Sequence, residues 1–388
     1  MQTKIAGFIQ EPACDSVRTQ GFTLVEVMVG LALSMLSMLI VLQLFSMSDA
    51  RKRTTTGAAE AQQTANVSLY QVSRSVRLAG AGLTQASNVW GCPIQAYRTG
   101  TQILPAPAAF PAPFASVGQT VRAIPVLILP AAAPDGQSDI IVVVSGNGET
   151  GQAELEMVGP PKTTGLTLLR SNGVKQRDLI LMTVPGAISN CQIAQVDTTF
   201  NAATAPNALP LGATGTSYNT ATGLTGGTYN SGSVALHLGA SPIFAMFGIN
   251  ANNSLEQFDL LNISGTATSV IADSVFDMRA RYGVVDAAGS GPITWQSPAT
   301  AGWQVADLTA GTPAALALVD RIRAVRISMV FRSTEPVKDD SPPTSYVMFP
   351  DASPITVAIP TASQLYRYQV YDTVIPLRNL RYVPNPRT

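Results

Sequence analysis

The sequence predicts an α+β protein. A long N-terminal helix, membrane-spanning and then amphipathic, packs on an antiparallel β-sheet, with a large β-rich insertion between them. Three observations predict it. Residues 27–48 contain no charged side chain and no proline, a run of roughly 22 residues, which crosses a bilayer as a helix at about 1.5 Å per residue. Behind that run, apolar residues recur at spacings of three and four as far as Ala79, the period of a helix with one buried face. The rest holds short apolar runs separated by glycine and proline, which number 31 and 27 in the whole chain, and reads as strands joined by loops.

In chain order, residues 1–21 read as a leader rather than as structure. The stretch is polar, sets Lys4 and Arg18 against Glu11 and Asp15, and has no apolar core of its own. Residues 22–48 form the membrane helix, because a helix satisfies its own backbone in hydrocarbon and Leu, Met, Val and Ala favour it. Glu26 lies just inside the apolar stretch. An ionised carboxylate there is costly and marks either a functional partner or a solvated interfacial position; the residues alone leave both open. Arg51-Lys52-Arg53 follows the span, and the positive-inside rule taken alone would place the following body in the cytoplasm. Residues 49–80 continue the helix in amphipathic form. Ala58, Ala61, Ala65, Leu69, Val72, Val76 and Ala79 make one stripe, while Gln62, Gln63, Asn66, Ser73, Arg74 and Arg77 occupy other faces. Gly80 and Gly82 supply the stop. The two halves together give a helix of roughly 55 residues, about 80 Å long.

Residues 81–270 are predicted as the β-rich insertion and 271–388 as the C-terminal antiparallel sheet region. Residues 84–120, with Trp90, Cys92 and the Pro/Ala-rich tract 105–113, read as an extended connector. Strands are predicted over 123–129, 139–145, 154–158, 166–170, 178–184, 234–238, 243–248, 257–261, 275–285, 321–332 and 366–377. Ile140-Ile141-Val142-Val143-Val144 is continuous rather than alternating, which predicts burial on both faces. Residues 197–232, rich in Thr, Ala, Asn and Gly, read as a long surface excursion. In 321–332, Val325, Ile327, Met329 and Phe331 alternate with Arg326, Ser328, Val330 and Arg332. That predicts a half-buried strand with a partly basic outer face.

Charged residues make up 12% and the formal net charge is zero, which gives no support to a general nucleic-acid or acidic-substrate binder. The single histidine, His237, lies in an apolar strand context and reads as structural. The sequence shows no zinc-type Cys/His spacing, phosphate-binding glycine loop or nucleophile elbow. No catalytic residue, cofactor or metal is therefore expected, and the chain is not read as an enzyme. Asp339-Asp340-Ser341 lacks a full calcium-ligand pattern and reads as a solvated turn. Tyr346, Tyr366, Tyr368, Tyr371 and Tyr382 read mainly as packing. Arg321, Arg323 and Arg326 read as a solvated basic face rather than a phosphate site.

Gly21-Phe22-Thr23-Leu24-Val25-Glu26 resembles the prepilin peptidase signature of type IV pilins and type II secretion pseudopilins. The resemblance implies cleavage after Gly21 and methylation of the new Phe22 amine, with the membrane helix retained. It also implies that Glu26 pairs with the ammonium of a neighbouring subunit during assembly. The leader would face the cytoplasm and the body the periplasm, since large domains are translocated largely regardless of flanking charge. Three cysteines are present. Cys14 would leave with the leader, so Cys92 and Cys191 remain as an even pair, which in an exported domain favours one disulfide.

Further segments resemble the PilW class of minor pilins: Ser73-Arg74-Ser75-Val76-Arg77-Leu78-Ala79-Gly80, Arg281-Tyr282-Gly283-Val284, Ile322-Arg323-Ala324-Val325-Arg326-Ile327 and Thr373-Val374-Ile375-Pro376-Leu377-Arg378-Asn379. The likeness covers the helix and about the last hundred residues, and the middle carries none. Gln43 stands where a kinking proline is common in major pilins, so a straighter helix is expected. The class implies a structural minor pilin that helps to initiate and cap a type IV pilus at the inner membrane, supporting twitching motility. Its implied partners are other minor pilins, the major pilin, the prepilin peptidase, the inner-membrane assembly platform and a tip adhesin. Rival readings are a minor pseudopilin of type II secretion and a pilus-displayed adhesin or DNA-uptake module. The size of the insertion weighs against the first rival.

Overall fold

The computed structural model describes residues 21–379 except 84–88, 132–137, 148–154, 163, 172, 185–190, 212–217, 220–228, 230–232, 263–266, 290 and 337–342. Residues 1–20 with Cys14, as well as Asp339-Asp340-Ser341 and Tyr382, lie outside the described residues. The chain divides into two compact units, Met1–Thr55 and Thr56–Thr388.

In the first unit the described elements reduce to helix α1 (Leu24–Leu78), whose 55 residues run on into the second unit. All residues of 21–49 are exposed. The helix passes Gln43 without a proline, and Ser34, Ser37 and Ser46 return their hydroxyls to the carbonyls of Leu31, Leu33 and Gln43 at 2.8 Å. That back-bonding leaves no hydroxyl of these serines unsatisfied in an apolar medium.

In the second unit the strands are β1 (Ile94–Arg98), β2 (Thr101–Leu104), β3 (Val126–Leu129), β4 (Ile140–Ser145), β5 (Leu155–Glu156) and β6 (Gly165–Thr167). Then come β7 (Leu179–Thr183), β8 (Cys191–Gln195), β9 (Ala208–Pro210), β10 (Val234–Gly239), β11 (Ile243–Ile249), β12 (Leu255–Asp259) and β13 (Thr268–Ala272). The last are β14 (Val275–Val284), β15 (Thr294–Gln296), β16 (Ile322–Arg332), β17 (Ser345–Met348), β18 (Ile355–Ala358) and β19 (Tyr368–Pro376). Two short helices, α2 (Val305–Thr309) and α3 (Pro313–Asp320), lie between β15 and β16. The α3 cap is local chemistry: Thr312 Oγ1 accepts from Ala315 N, with Pro313 at the first turn.

The strands form a six-stranded sheet β2-β1-β8-β7-β10-β5, a five-stranded sheet β13-β12-β11-β4-β3 and a four-stranded sheet β15-β14-β16-β19. The small pairs β17-β18 and β6-β9 complete the set. Pairing is antiparallel except between β1 and β8. Burial reveals the layering. Ala61, Ala65, Val72, Val76 and Ala79 of α1 share one core with Ile141 and Val143 of β4 and with Ile327, Met329 and Phe331 of β16. Ile140, Val142 and Val144 point instead into a second core with Leu179, Leu181 and Ile193. β4 is thus buried on both faces, as its unbroken apolar run predicts. β7 repeats the device, with Ile180 and Met182 turned into a third core. The helix stop is built from contact as well as conformation. Gly80 has φ 79°, and a Cβ on it would lie 2.7 Å from the Asn379 carbonyl oxygen.

Three expectations need correction. The strand predicted with a basic outer face is buried on both faces, since Arg326 and Ser328 are only 8% and 0% exposed. A second layer from the loop after β17 covers it, which strand alternation cannot foresee. The segment read as a connector holds β1 and β2, and its Phe110, Phe114 and Val117 are core residues. Its alternation at Cys92, Ile94 and Ala96 was the available signal, masked by the following prolines. The surface excursion contributes β9, whose Leu209 is buried against β6.

Candidate functional site

Two places carry the family-like residues. At the N-terminal end, Leu24 opens a 26-residue stretch, Leu24–Asp49, of mean hydropathy 2.3 and long and apolar enough to cross a membrane. Thr23 caps it: Glu26 N donates to Thr23 Oγ1 at 3.3 Å, and Val27 N donates to the Thr23 carbonyl at 3.2 Å. Thr23-x-x-Glu26 therefore has the spacing of a capping box, and Glu26 supplies the acid that a helix N-terminus favours. The Thr-x-x-Glu spacing inside the signature is the sequence signal for this cap. Gly21 has open space around its Cα, and Phe22 is 79% exposed. The scissile bond expected from the resemblance thus lies in accessible, non-helical chain just ahead of the cap.

In the body, the four PilW-like segments converge. Asn379 Nδ2 donates to the Leu78 carbonyl at 3.4 Å, so the end of the C-terminal segment ties down the end of the helix. Arg281 of β14 lies directly opposite Arg326 of β16, a like-charge pair that is unfavourable unless neutralised. The neutralisation is explicit. Arg326 donates Nε to Asp372 at 2.9 and 3.0 Å and Nη1 and Nη2 to Asp351 at 3.1 and 2.6 Å, with Nη2 also 2.5 Å from Asp372. Hydrogen bonds to both carboxylates, Asp372 first, hold its guanidinium pKa above the ordinary value. Arg281 donates to the Ala352 and Ser353 carbonyls. Both guanidiniums face the Phe349 ring, at 4.6 Å and 5.3 Å from its centre. The expected solvated basic face is therefore a covered charge cluster.

A second cluster joins the five- and four-stranded sheets. Asp139, at the foot of β4, accepts from Ala280 N at 2.8 Å, Ala131 N at 2.9 Å and Arg279 Nη1 at 3.4 Å. Asp277 accepts from Tyr346 Oη at 2.8 Å, Ser138 Oγ at 3.2 Å and Arg279 Nε at 3.1 Å. Burial pushes the Asp139 carboxyl up to about 6, against the pull of the Ala280 amide, Arg279 and the Ala131 amide, and the nearby Asp277 adds to the rise.

The remaining expectations resolve simply. His237 Nε2 is 2.6 Å from Asp178 Oδ2 with both side chains nearly covered, so the histidine is satisfied within the fold. Tyr346 and Tyr368 stack on each other at 6.1 Å, and Tyr371 packs edge-on against Phe331 at 5.6 Å. Cys92 and Cys191 are joined as a disulfide, with Cα atoms 5.8 Å apart and a sequence separation of 99. Among the described residues, no group of three or more His, Cys, Asp or Glu is placed to hold a metal.

The family described as Type IV Pilus-assembly protein W matches residues 251–379, and the Prokaryotic N-terminal methylation motif matches residues 17–42. No curated protein and no solved structure matches the chain. The first match covers β14, β16, β19 and the arginines of both clusters, and the second covers the capped start of the apolar helix. With these two regions at opposite ends of one chain, the protein is similar to type IV pilus-assembly proteins of the PilW class at its C-terminal end and to N-methylated pilins at its N-terminal end.

Proposed function

We propose that the chain is a structural minor pilin that co-assembles with other minor pilins to initiate and cap a type IV pilus at the inner membrane, supporting pilus biogenesis and twitching motility. The observation that carries this reading is the placement of Gly21 and Phe22 immediately before the capped apolar stretch Leu24–Asp49. Cleavage there removes the leader, frees the Phe22 amine and leaves the Thr23 cap intact. The leader faces the cytoplasm, the helix stays in the membrane and the disulfide-bonded body lies in the periplasm, an oxidising compartment. The role is architectural rather than catalytic.

Glu26 is then the assembly residue. A carboxylate in the first turn of a membrane helix gains from a positive partner, and the processed Phe22 amine of an adjacent subunit supplies one. Glu26→Gln keeps the shape and the Thr23 cap but removes the charge. The variant is expected to be processed and stable in the membrane, yet at least tenfold depleted from sheared pilus fractions. Normal incorporation and normal piliation would reduce Glu26 to a helix-capping acid and remove the pairing.

A further inference from the structure

The edges of the three large sheets are treated unequally. An open edge is a row of unpaired amides and carbonyls that invites another strand, and proteins blunt it by shortness, bulges, lysine or cover. β5 has two residues and β15 three. β2 has four and pairs across a bulge at Ala96/Tyr97, and β13 has five beside a bulge at Leu255/Glu256. β3 has four, and its Ile128 N–H is taken by Tyr282 Oη at 2.6 Å.

β19 is different. It has nine residues, pairs with β16 through nine consecutive positions without a register shift, and contains no lysine. It ends in Pro376 and carries one charged side chain, Asp372, which Arg326 binds from β16. Which groups face outward follows from two bonds: Leu377 N donates to the Arg323 carbonyl, and Ser333 N donates to the Arg367 carbonyl, both at 2.9 Å. Odd-numbered residues therefore bond inward to β16. The amides and carbonyls of Tyr368, Val370, Asp372 and Val374 point away from it. Among the described residues no further strand pairs with this edge. Val370 and Val374, on one face of the strand, are 37% and 51% exposed.

We propose that the outer edge of β19 is a strand-addition site, which receives an extended segment of another pilus-assembly chain as the fifth strand of this sheet. Free backbone groups at strand spacing specify an extended occupant, and Val370 and Val374 ask for apolar side chains beside them. A second copy of this chain fits poorly. Self-pairing about a two-fold axis over the full edge sets each Asp372 opposite or diagonal to its copy, within about 8 Å. The proposal rests on the pilin reading for the nature of the partner, and on the edge geometry for the mode of binding.

Hydrogen exchange, resolved to single amides, tests it on the full-length chain in native membranes and on the same chain purified in detergent. The amides of Tyr368, Val370, Asp372 and Val374 are expected to exchange at least tenfold more slowly in membranes. Val370→Pro removes one outward N–H and none of the bonds to β16. It should abolish the extra protection at 368, 372 and 374 while 369, 371 and 373 stay protected, which shows that the sheet is intact. Val370→Thr keeps the N–H and should behave as wild type. Equal exchange in both preparations, or protection that survives Val370→Pro, would overturn the proposal. Disulfide-linked dimers of a Val370→Cys chain would overturn the choice of partner in favour of a second copy. A protected edge in a chain that never enters sheared filaments would sink the pilin reading and leave strand addition standing.

Discussion

The C-terminal sheet and the middle of the body are both built of strands, yet they are fixed by different forces. In β14, β16 and β19 the ordering contacts are charged. Arg279, Arg281 and Arg326 are each matched to named carboxylates or carbonyls, and a guanidinium fork accepts few arrangements of its partners. In the middle, β4 and β7 are apolar on both faces, and the tie that spans the region is covalent, Cys92 to Cys191. Apolar strands of the right size replace one another readily, whereas forked charge pairs do not. The family match at 251–379 takes in these arginines and their Asp277, Asp351 and Asp372 partners, while residues 84–250 match nothing.

The comparison can be broken from either side. The largest effect is expected in the middle. Replacing both Cys92 and Cys191 by Ala releases a loop of about 100 residues, worth about 4 kcal/mol by the chain-entropy estimate. Urea unfolding of the oxidised and double-variant proteins measures it. No change in midpoint would mean that the middle is held by burial alone.

The next effect belongs to the C-terminal sheet. Arg326→Ala removes a covered guanidinium and leaves Asp372 without its cation, at a cost of about 1–2 kcal/mol, discounted because Asp372 and Asp351 both reach solvent. Asp351→Ala, at the exposed end of the same cluster, should change stability little. Equal losses for the two would contradict the division into a covered guanidinium and an exposed partner.

A smaller and more particular effect is pH dependence at the junction of the sheets. Asp139 titrates near 6 in the fold and near 3.8 when unfolded. Its native pKa is raised, so the native state holds the proton more tightly between those values. This group's contribution to stability is therefore full below about pH 4 and falls as the pH rises through 6. Asp139→Asn should flatten the stability profile over that window, read from thermal unfolding at closely spaced pH. An unchanged slope would assign the titration to another group.

Much of the helix was legible in the sequence, because its signals are local. An uncharged run, a 3–4 apolar period and two stop glycines each lie within a few turns of the residues they govern. The strand positions 140–145, 179–183, 243–249 and 322–332 were legible for the same reason. What escaped is non-local. β16 looked half-solvated because its cover, Phe349 to Ser353, lies about 20 residues farther along the chain. Asn379 gave no hint that it meets Leu78, 301 positions away. At the N-terminal site the processing pattern stood out, and the cap hidden within it, Thr23 to Glu26, did not.

The central claim is that the chain is cut at Gly21–Phe22 and keeps its apolar helix. Intact-mass and N-terminal mass spectrometry of the wild-type protein from the membrane tests it most directly. The account predicts a chain that begins with N-methylated Phe22 and retains residues 22–48, and a Gly21 replacement by a bulky residue that accumulates uncut. An N-terminus beyond residue 48, or an unmodified leader still attached in the mature protein, would contradict it.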